Sequence, residues 1–220
     1  MAEHADRPDR PEPDGPTRKT LLKAAFVAAP AAALLSASGA VPALARDRAA
    51  DERLLDPTPQ CDDGDDPTPP QMEGPYFKPN SPNRSDLVIP GDPGVPLAVS
   101  GYVFTRDCRP VAGALLDFWQ ADDAGVYDNA GYDYRGHQYT GADGAFQLTT
   151  IVPGLYPGRT RHLHVKVQAP SRPVLTTQLY FPGEPRNETD LIFDPRLLMN
   201  VRDDASGKAA EFDFVLDFTA

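Results

Sequence analysis

The sequence predicts an all-β fold, a single β-sandwich domain of mainly antiparallel strands, and two observations carry that expectation. Short apolar runs recur between clusters of Gly, Pro, Asn and Asp, and the clearest run alternates apolar and acidic residues with the period of two that a strand requires. The runs are Leu97 to Phe104, Ala114 to Gln120, Ala145 to Ile151, His162 to Ala169, Val174 to Phe181 and Glu211 to Phe218. Such spacing, with turn residues between, suits a sandwich. In the last run Phe212, Phe214, Leu216 and Phe218 fall on one face and Glu211, Asp213 and Asp217 on the other, so one face is expected to pack and the other to meet water. Helical periodicity is weak past residue 45, and no glycine-rich phosphate cradle follows a strand, which argues against nucleotide chemistry.

The strand runs occupy residues 73–220 of the 220, enough for one ordinary domain. Residues 1–45 read as an export signal peptide. Arg18-Lys19-Thr20-Leu21-Leu22-Lys23 precedes an alanine-rich apolar stretch from Ala24 to Ala45 that closes on Ala43-Leu44-Ala45, a small-residue cleavage pattern. Pro30 and Pro42 interrupt it as a spanning helix, so no stable membrane association is expected. The basic pair is similar to a twin-arginine signal with Lys19 in the second position; either export route ends outside the cytoplasm, so a secreted or extracytoplasmic location is expected.

Residues 46–72 are rich in Pro and Asp and read as a solvated arm. The stretch Cys61 to Asp66 is superficially like a calcium loop, but Pro67, Pro69 and Pro70 forbid the second helix of an EF-hand. Cys61 and Cys108 are the only cysteines, and an oxidising compartment would let them pair as a disulfide; two free thiols are the alternative. The formal charge of -11 repels phosphate backbones and anionic lipid, so nucleic acid is not an expected partner. Oligomerisation is left open.

The densest polar constellation is Tyr156-Pro157-Gly158-Arg159-Thr160-Arg161-His162-Leu163-His164. On a strand, His162 and His164 project from one face while Leu163, Val165 and Val167 project from the other, so two imidazoles can converge on one metal. Two exposed histidines on a polar strand face would look the same in sequence. Only three histidines lie beyond residue 45, which makes the pairing more than a by-product of composition. Tyr156 sits in a Pro-Gly turn beside the histidine strand, and Tyr127 follows the Trp119 strand. Trp119 reads as core, and His137 reads as a loop residue before the turn Thr140 to Gly144.

Five stretches together resemble the intradiol ring-cleavage dioxygenases in order and spacing: Glu73 to Tyr76, Trp119 to Tyr127, Thr150 to Tyr156, Arg159 to His164, and Thr176 to Phe181. The branch that the resemblance implies is the protocatechuate-like one, since there is no room for the helical N-terminal region of catechol dioxygenases. It implies a sandwich fold and ferric iron, Fe(III), held by Tyr127, Tyr156, His162 and His164. It implies Arg159 and Gln178 as catalytic and substrate-binding groups; Tyr76 reads either as a substrate-binding pocket residue or as packing for the N-terminal arm. Thr160-Arg161 stand where relatives have Pro-Ala, so Arg159 and Arg161 could exchange roles; strand alternation sends Arg161 away from the metal face and favours Arg159. The implied reaction takes a small aromatic diol and O2 to a muconate-type dicarboxylic acid, with Tyr156 released from the metal as the diol binds. Other readings of the same sandwich are a secreted non-catalytic binding module and a transthyretin-like hydrolase.

Overall fold

The computed structural model describes residues 66–220. Among these described residues nine strands run in chain order: β1 (Pro96–Thr105), β2 (Leu115–Trp119), β3 (Arg135–Tyr139), β4 (Ala145–Ile151), β5 (His162–Gln168), β6 (Leu175–Tyr180), β7 (Asn200–Asp204), β8 (Gly207–Glu211) and β9 (Phe214–Leu216). They form two sheets. One has the order β4-β1-β8-β7 with β9 also paired to β1, and the other is β3-β2-β5-β6. Pairing is antiparallel except that β8 and β9 both run parallel to β1.

The first five apolar runs become β1, β2, β4, β5 and β6, each within a residue of its expected ends. Alternation explains why. Leu97, Val99 and Val103 of β1 and Phe146 and Leu148 of β4 meet Leu116 and Phe118 of β2 and Leu163, Val165 and Val167 of β5 in one buried cluster. Phe146 joins the layers, its ring 6.0 Å from Phe118 and 5.7 Å from Phe214. Burying each such side chain contributes about 1.5–3 kcal/mol, enough in sum to specify which face turns inward.

Three strands carry no apolar alternation and are not expected from sequence. β3 reads Arg-Gly-His-Gln-Tyr. β7 and β8 form a hairpin whose exposed sides carry the ion pairs Arg202–Glu211 and Lys208–Asp203, and β7 is an edge strand of the sort that charge protects from further pairing.

The last run departs from its expected pattern. Instead of one amphipathic strand, β8 ends at Glu211 and β9 begins at Phe214, and Asp213 is buried. The cause lies opposite, at Gly101, where a Cβ would sit 1.8 Å from the Phe212 carbonyl oxygen. The backbones crowd too closely there to continue the ladder. Phe212 N–H still donates to Ser100 O at 3.1 Å, but the Tyr102 N–H donates to Asp213 Oδ1 at 2.8 Å, so a side chain replaces a backbone acceptor.

Residues 66–72 refine a second expectation: Asp66, Pro70 and Met72 are exposed, as in a solvated arm, but Thr68 is buried and the segment lies along the sandwich. Thr68 and Val215 exchange two hydrogen bonds, Gln71 N–H donates to Thr176 O, and the Thr177 hydroxyl donates to Pro69 O. The arm's remainder, the signal-like segment 1–45, the acidic run and Cys61 with its proposed pairing lie outside the described residues; Cys108 occupies the turn after β1 with φ 56°. No helix among the described residues is long and apolar enough to cross a membrane.

Burial pushes the Asp213 carboxyl up despite the bond from Tyr102, and its Oδ2 has no hydrogen-bond partner among the described residues. A raised native pKa means that the folded chain binds this proton more tightly than the unfolded chain, so Asp213 stabilises least above the carboxylate range. Asp213→Asn keeps the acceptor and removes the charge. Thermal unfolding should show a higher Tm at about pH 7 and little change at about pH 3; a lower Tm at neutral pH would mean that the charge itself is needed.

Candidate metal and active site

The outer face of the β3-β2-β5-β6 sheet carries the site. In register, Arg135 lies beside Trp119, Trp119 beside His164, and His164 beside Gln178, so four residues from four strands form one row. His162 occupies the next row, beside Tyr180. Both histidines are buried, 5% and 3% exposed, so the exposed-histidine reading does not hold. Trp119 is buried but belongs to this face rather than to the main core. It packs with Tyr127 and Ala121, its indole stacked on His164 at 4.8 Å and 7°.

Two loops bring the tyrosines over this floor. Asp122 organises the first, accepting from Ala124 N–H and Val126 N–H, while Gly154 N–H donates to Asp122 O at 2.7 Å. A Cβ on Gly125 would lie 2.4 Å from Leu155 O, so the loops bearing Tyr127 and Tyr156 meet backbone to backbone, and Gly125 at φ +83° is the residue that permits it. Beyond Tyr156, Pro157 and Gly158 (φ +78°) make a tight turn closed by Arg159 N–H to Tyr156 O at 3.1 Å, with the geometry that favours Pro then Gly. Arg186 donates to the carbonyls of both Tyr156 and Arg159 and fixes the ends of that turn.

The donors converge. Tyr127 Oη lies 3.2 Å from His162 Nε2, which lies 3.2 Å from His164 Nε2. The Tyr156 ring stands edge-on to Tyr127 at 5.8 Å, and its hydroxyl pairs with that of Tyr76 at 2.9 Å. Tyr76 also stacks on Tyr127 at 4.5 Å and 10°. His162 Nδ1 donates to Thr160 O at 2.6 Å, which puts the proton there and leaves the Nε2 lone pair aimed at the site. Burial holds His162 down to about 4 and His164 well below its ordinary range, so both imidazoles are neutral and able to ligate. Burial likewise pushes the Tyr127 phenol up, so that ionising it calls for a cation close by. The Tyr127 oxygen and two neutral imidazole nitrogens, buried together with the half-buried Tyr156 ring beside Tyr127, fit a metal; among the described residues there is no cluster of three or more His, Cys, Asp or Glu suited to one.

Arg159 stands at the edge of this pocket, its side chain 19% exposed. Nε pairs with Asp190 at 2.8 Å, and Nη2 donates to Gln178 Oε1 at 2.7 Å and Tyr180 Oη at 3.4 Å. Burial alone would raise Asp190, but the Thr160 N–H and the Arg159 hydrogen bond hold it below the usual carboxylate range. Arg161 turns elsewhere, to Glu184 at 2.7 Å and the Pro153 carbonyl. Gln178 is fully buried with both ends engaged, Oε1 by Arg159 and Tyr180 and Nε2 by the Met72 carbonyl at 2.9 Å, so its contacts are to protein groups that frame the site. His137 is not in a loop. It lies in β3, its Nδ1 3.1 Å from Ser81 Oγ, paired in register with Asp117 and one row removed from that of Trp119 and His164. Arg135 and Asp190 were not legible in sequence, since each acts on segments brought near only by folding.

A family model described as Dioxygenase matches residues 72–218. The 6-chlorohydroxyquinol 1,2-dioxygenase of Cupriavidus pinatubonensis is 32% identical over 180 residues, covering 69% of this chain and 65% of that protein. The chlorocatechol 1,2-dioxygenase of a Pseudomonas species is 29% identical over 175 residues, covering 67% of this chain and 70% of that protein. The solved dioxygenase domain of a dioxygenase carbohydrate-binding protein fusion from Streptomyces sp. SirexAA-E is 71% identical, with a TM-score of 0.69 over 70% of this chain and 100% of that one. This chain spans about two thirds of the first relative's length, and the family-model match, residues 72–218, contains every residue of the convergent cluster. With the family model matched across the sandwich and the tyrosine and histidine donors on it, the chain belongs to the intradiol ring-cleavage dioxygenase family.

Proposed function

We propose that this chain cleaves catechol-type rings between their hydroxylated carbons with O2, at ferric iron held by Tyr127, Tyr156, His162 and His164. The observation that carries the reading is the convergence of Tyr127 Oη, His162 Nε2 and His164 Nε2 within 3.2 Å steps, with the Tyr156 phenol beside them. Phenolate is a hard donor that favours the ferric state, and imidazole suits iron as well. Bound ferric iron would draw electron density out of a coordinated diol and so open a ring carbon to dioxygen. Diol and O2 together contain every atom of the muconate-type product, and the ring supplies the electrons, so no external reductant is needed.

The chain's own groups supply the rest. As the phenolate that would hold iron, Tyr156 Oη could take up a proton from an incoming diol and become the neutral phenol, and the Tyr76 hydroxyl, 2.9 Å away, can hold that oxygen by a hydrogen bond. Arg159 is held by Asp190 and Gln178 through Nε and Nη2, while Nη1 makes no hydrogen bond among the described residues and can meet negative charge on the ring. Tyr127, Trp119 and Tyr76 wall the site with apolar surface and exclude water. Names among the relatives, for hydroxyquinol and chlorocatechol enzymes, favour a small catechol.

Oxygen uptake with catechol, hydroxyquinol and protocatechuate, with product spectra, tests the reading. The ferric protein should be coloured by phenolate-to-iron charge transfer and yield intradiol products. Tyr127→Phe and His162→Ala should lose iron and activity, and Arg159→Met should keep iron while kcat falls by about 10²-fold or more, the scale for one lost charge-stabilising donor. A colourless, iron-free protein after reconstitution, or full activity in Tyr127→Phe, would contradict it.

We also propose export, on the basic-then-apolar pattern of residues 18–45. Protein recovered from the medium should begin near Arg46; a chain confined to the cytoplasm and retaining Met1 would count against it.

A further inference from the structure

Arg135 is 1% exposed, among the most deeply buried charged residues in the fold. Its guanidinium makes three hydrogen bonds, all to backbone carbonyls. Nε and Nη2 donate to Asp128 O at 3.2 and 2.9 Å, and Nη1 donates to Tyr76 O at 2.6 Å. None of the ion pairs among the described residues includes it. A buried cation with no carboxylate partner is costly, so its placement calls for a reason beyond filling space.

The reason lies in what it joins. Arg135 opens β3, in register with Trp119, whose indole lies on His164. Its own backbone is fixed, Arg135 N–H donating to Tyr132 O at 3.2 Å and Arg84 Nε donating to Arg135 O at 3.0 Å. From that rigid point one planar fork reaches two separate segments. Asp128 is the residue after Tyr127, and Tyr76 is the ring stacked on Tyr127 at 4.5 Å and bonded to the Tyr156 hydroxyl. Arg135 touches no donor atom of the site, yet it connects the sheet that carries the histidines to both segments that carry the stacked tyrosines.

We propose that Arg135 is a positioning residue: through its bonds to the Asp128 and Tyr76 carbonyls it sets the angle of the Tyr127 and Tyr76 rings against the histidine pair. The inference rests on Tyr127 being a ligand only for its consequence at the metal. The fork matters, because an ammonium is a point donor that cannot hold two carbonyls in a fixed plane. Charge alone therefore does not substitute for it.

The test compares Arg135→Lys and Arg135→Gln with wild type in two states. In metal-free protein, near-ultraviolet circular dichroism reads the packed Tyr76, Tyr127 and Trp119 cluster, and far-ultraviolet dichroism reads the sheets. In ferric-loaded protein, the charge-transfer band and the separate kcat and KM for catechol read the site. Both variants should keep the far-ultraviolet spectrum, lose most of the near-ultraviolet aromatic signal, shift the charge-transfer band, and raise KM at least five-fold, with Lys rescuing neither spectrum. A native near-ultraviolet signal and native KM in Arg135→Lys would overturn the proposal, as would loss of the far-ultraviolet spectrum in both variants, which would make Arg135 a general support of the fold. Should wild type show no charge-transfer band while the near-ultraviolet signal still depends on Arg135, the iron reading fails and the positioning role stands.

Discussion

The antiparallel register of β3, β2, β5 and β6 puts Arg135, Trp119, His164 and Gln178 in one row, and every contact at the site is built outward from that row. Strand side chains alternate, so a slip of one residue in β5 would turn His162 and His164 into the core and Leu163, Val165 and Val167 out of it. Those three aliphatic side chains are almost wholly buried, so hydrophobic burial on the inner face fixes the position of the imidazoles on the outer face. The sandwich core and the proposed metal donors are two sides of one strand.

Putting so many polar groups under cover demands partners for them. The Asp190 carboxylate answers Arg159 and the Thr160 N–H, and Thr160 O in turn fixes the His162 tautomer, so one short segment ties Arg159 to a proposed ligand. Gln178 connects the same arginine to the incoming chain at Met72, two residues before the turn at Gly74 and four before Tyr76. The entering segment is thereby part of the site. Its carbonyls are gripped by Gln178 at one end and Arg135 at the other, which explains why residues 66–72 lie in a fixed course along β6 and β9.

What sequence revealed and what it hid follow from the range of the forces involved. Alternation is local, so β1, β2, β4, β5 and β6 were legible, and so was the His162 and His164 pair on one strand face. The tyrosines were legible through likeness to a family, because nothing local says that Tyr127 and Tyr156 meet. Arg135 and Asp190 were hidden because each acts across the chain, 59 residues from Tyr76 and 31 from Arg159. The run from Glu211 to Phe218 misled for the same reason, since the close approach of Phe212 to Gly101 breaks a strand that its own pattern favours. His137 misled in the opposite way: a polar pentapeptide became β3 because Trp119 and Asp117 pair with it in register.

The central claim is that Tyr127, Tyr156, His162 and His164 hold one ferric ion. Diffraction from iron-loaded crystals, measured on either side of the iron absorption edge, locates the metal without reference to activity. A single anomalous peak within bonding distance, about 2 Å, of His162 Nε2, His164 Nε2 and the two phenol oxygens is the result predicted. A peak elsewhere, or none in crystals whose solution retains stoichiometric iron, would contradict it.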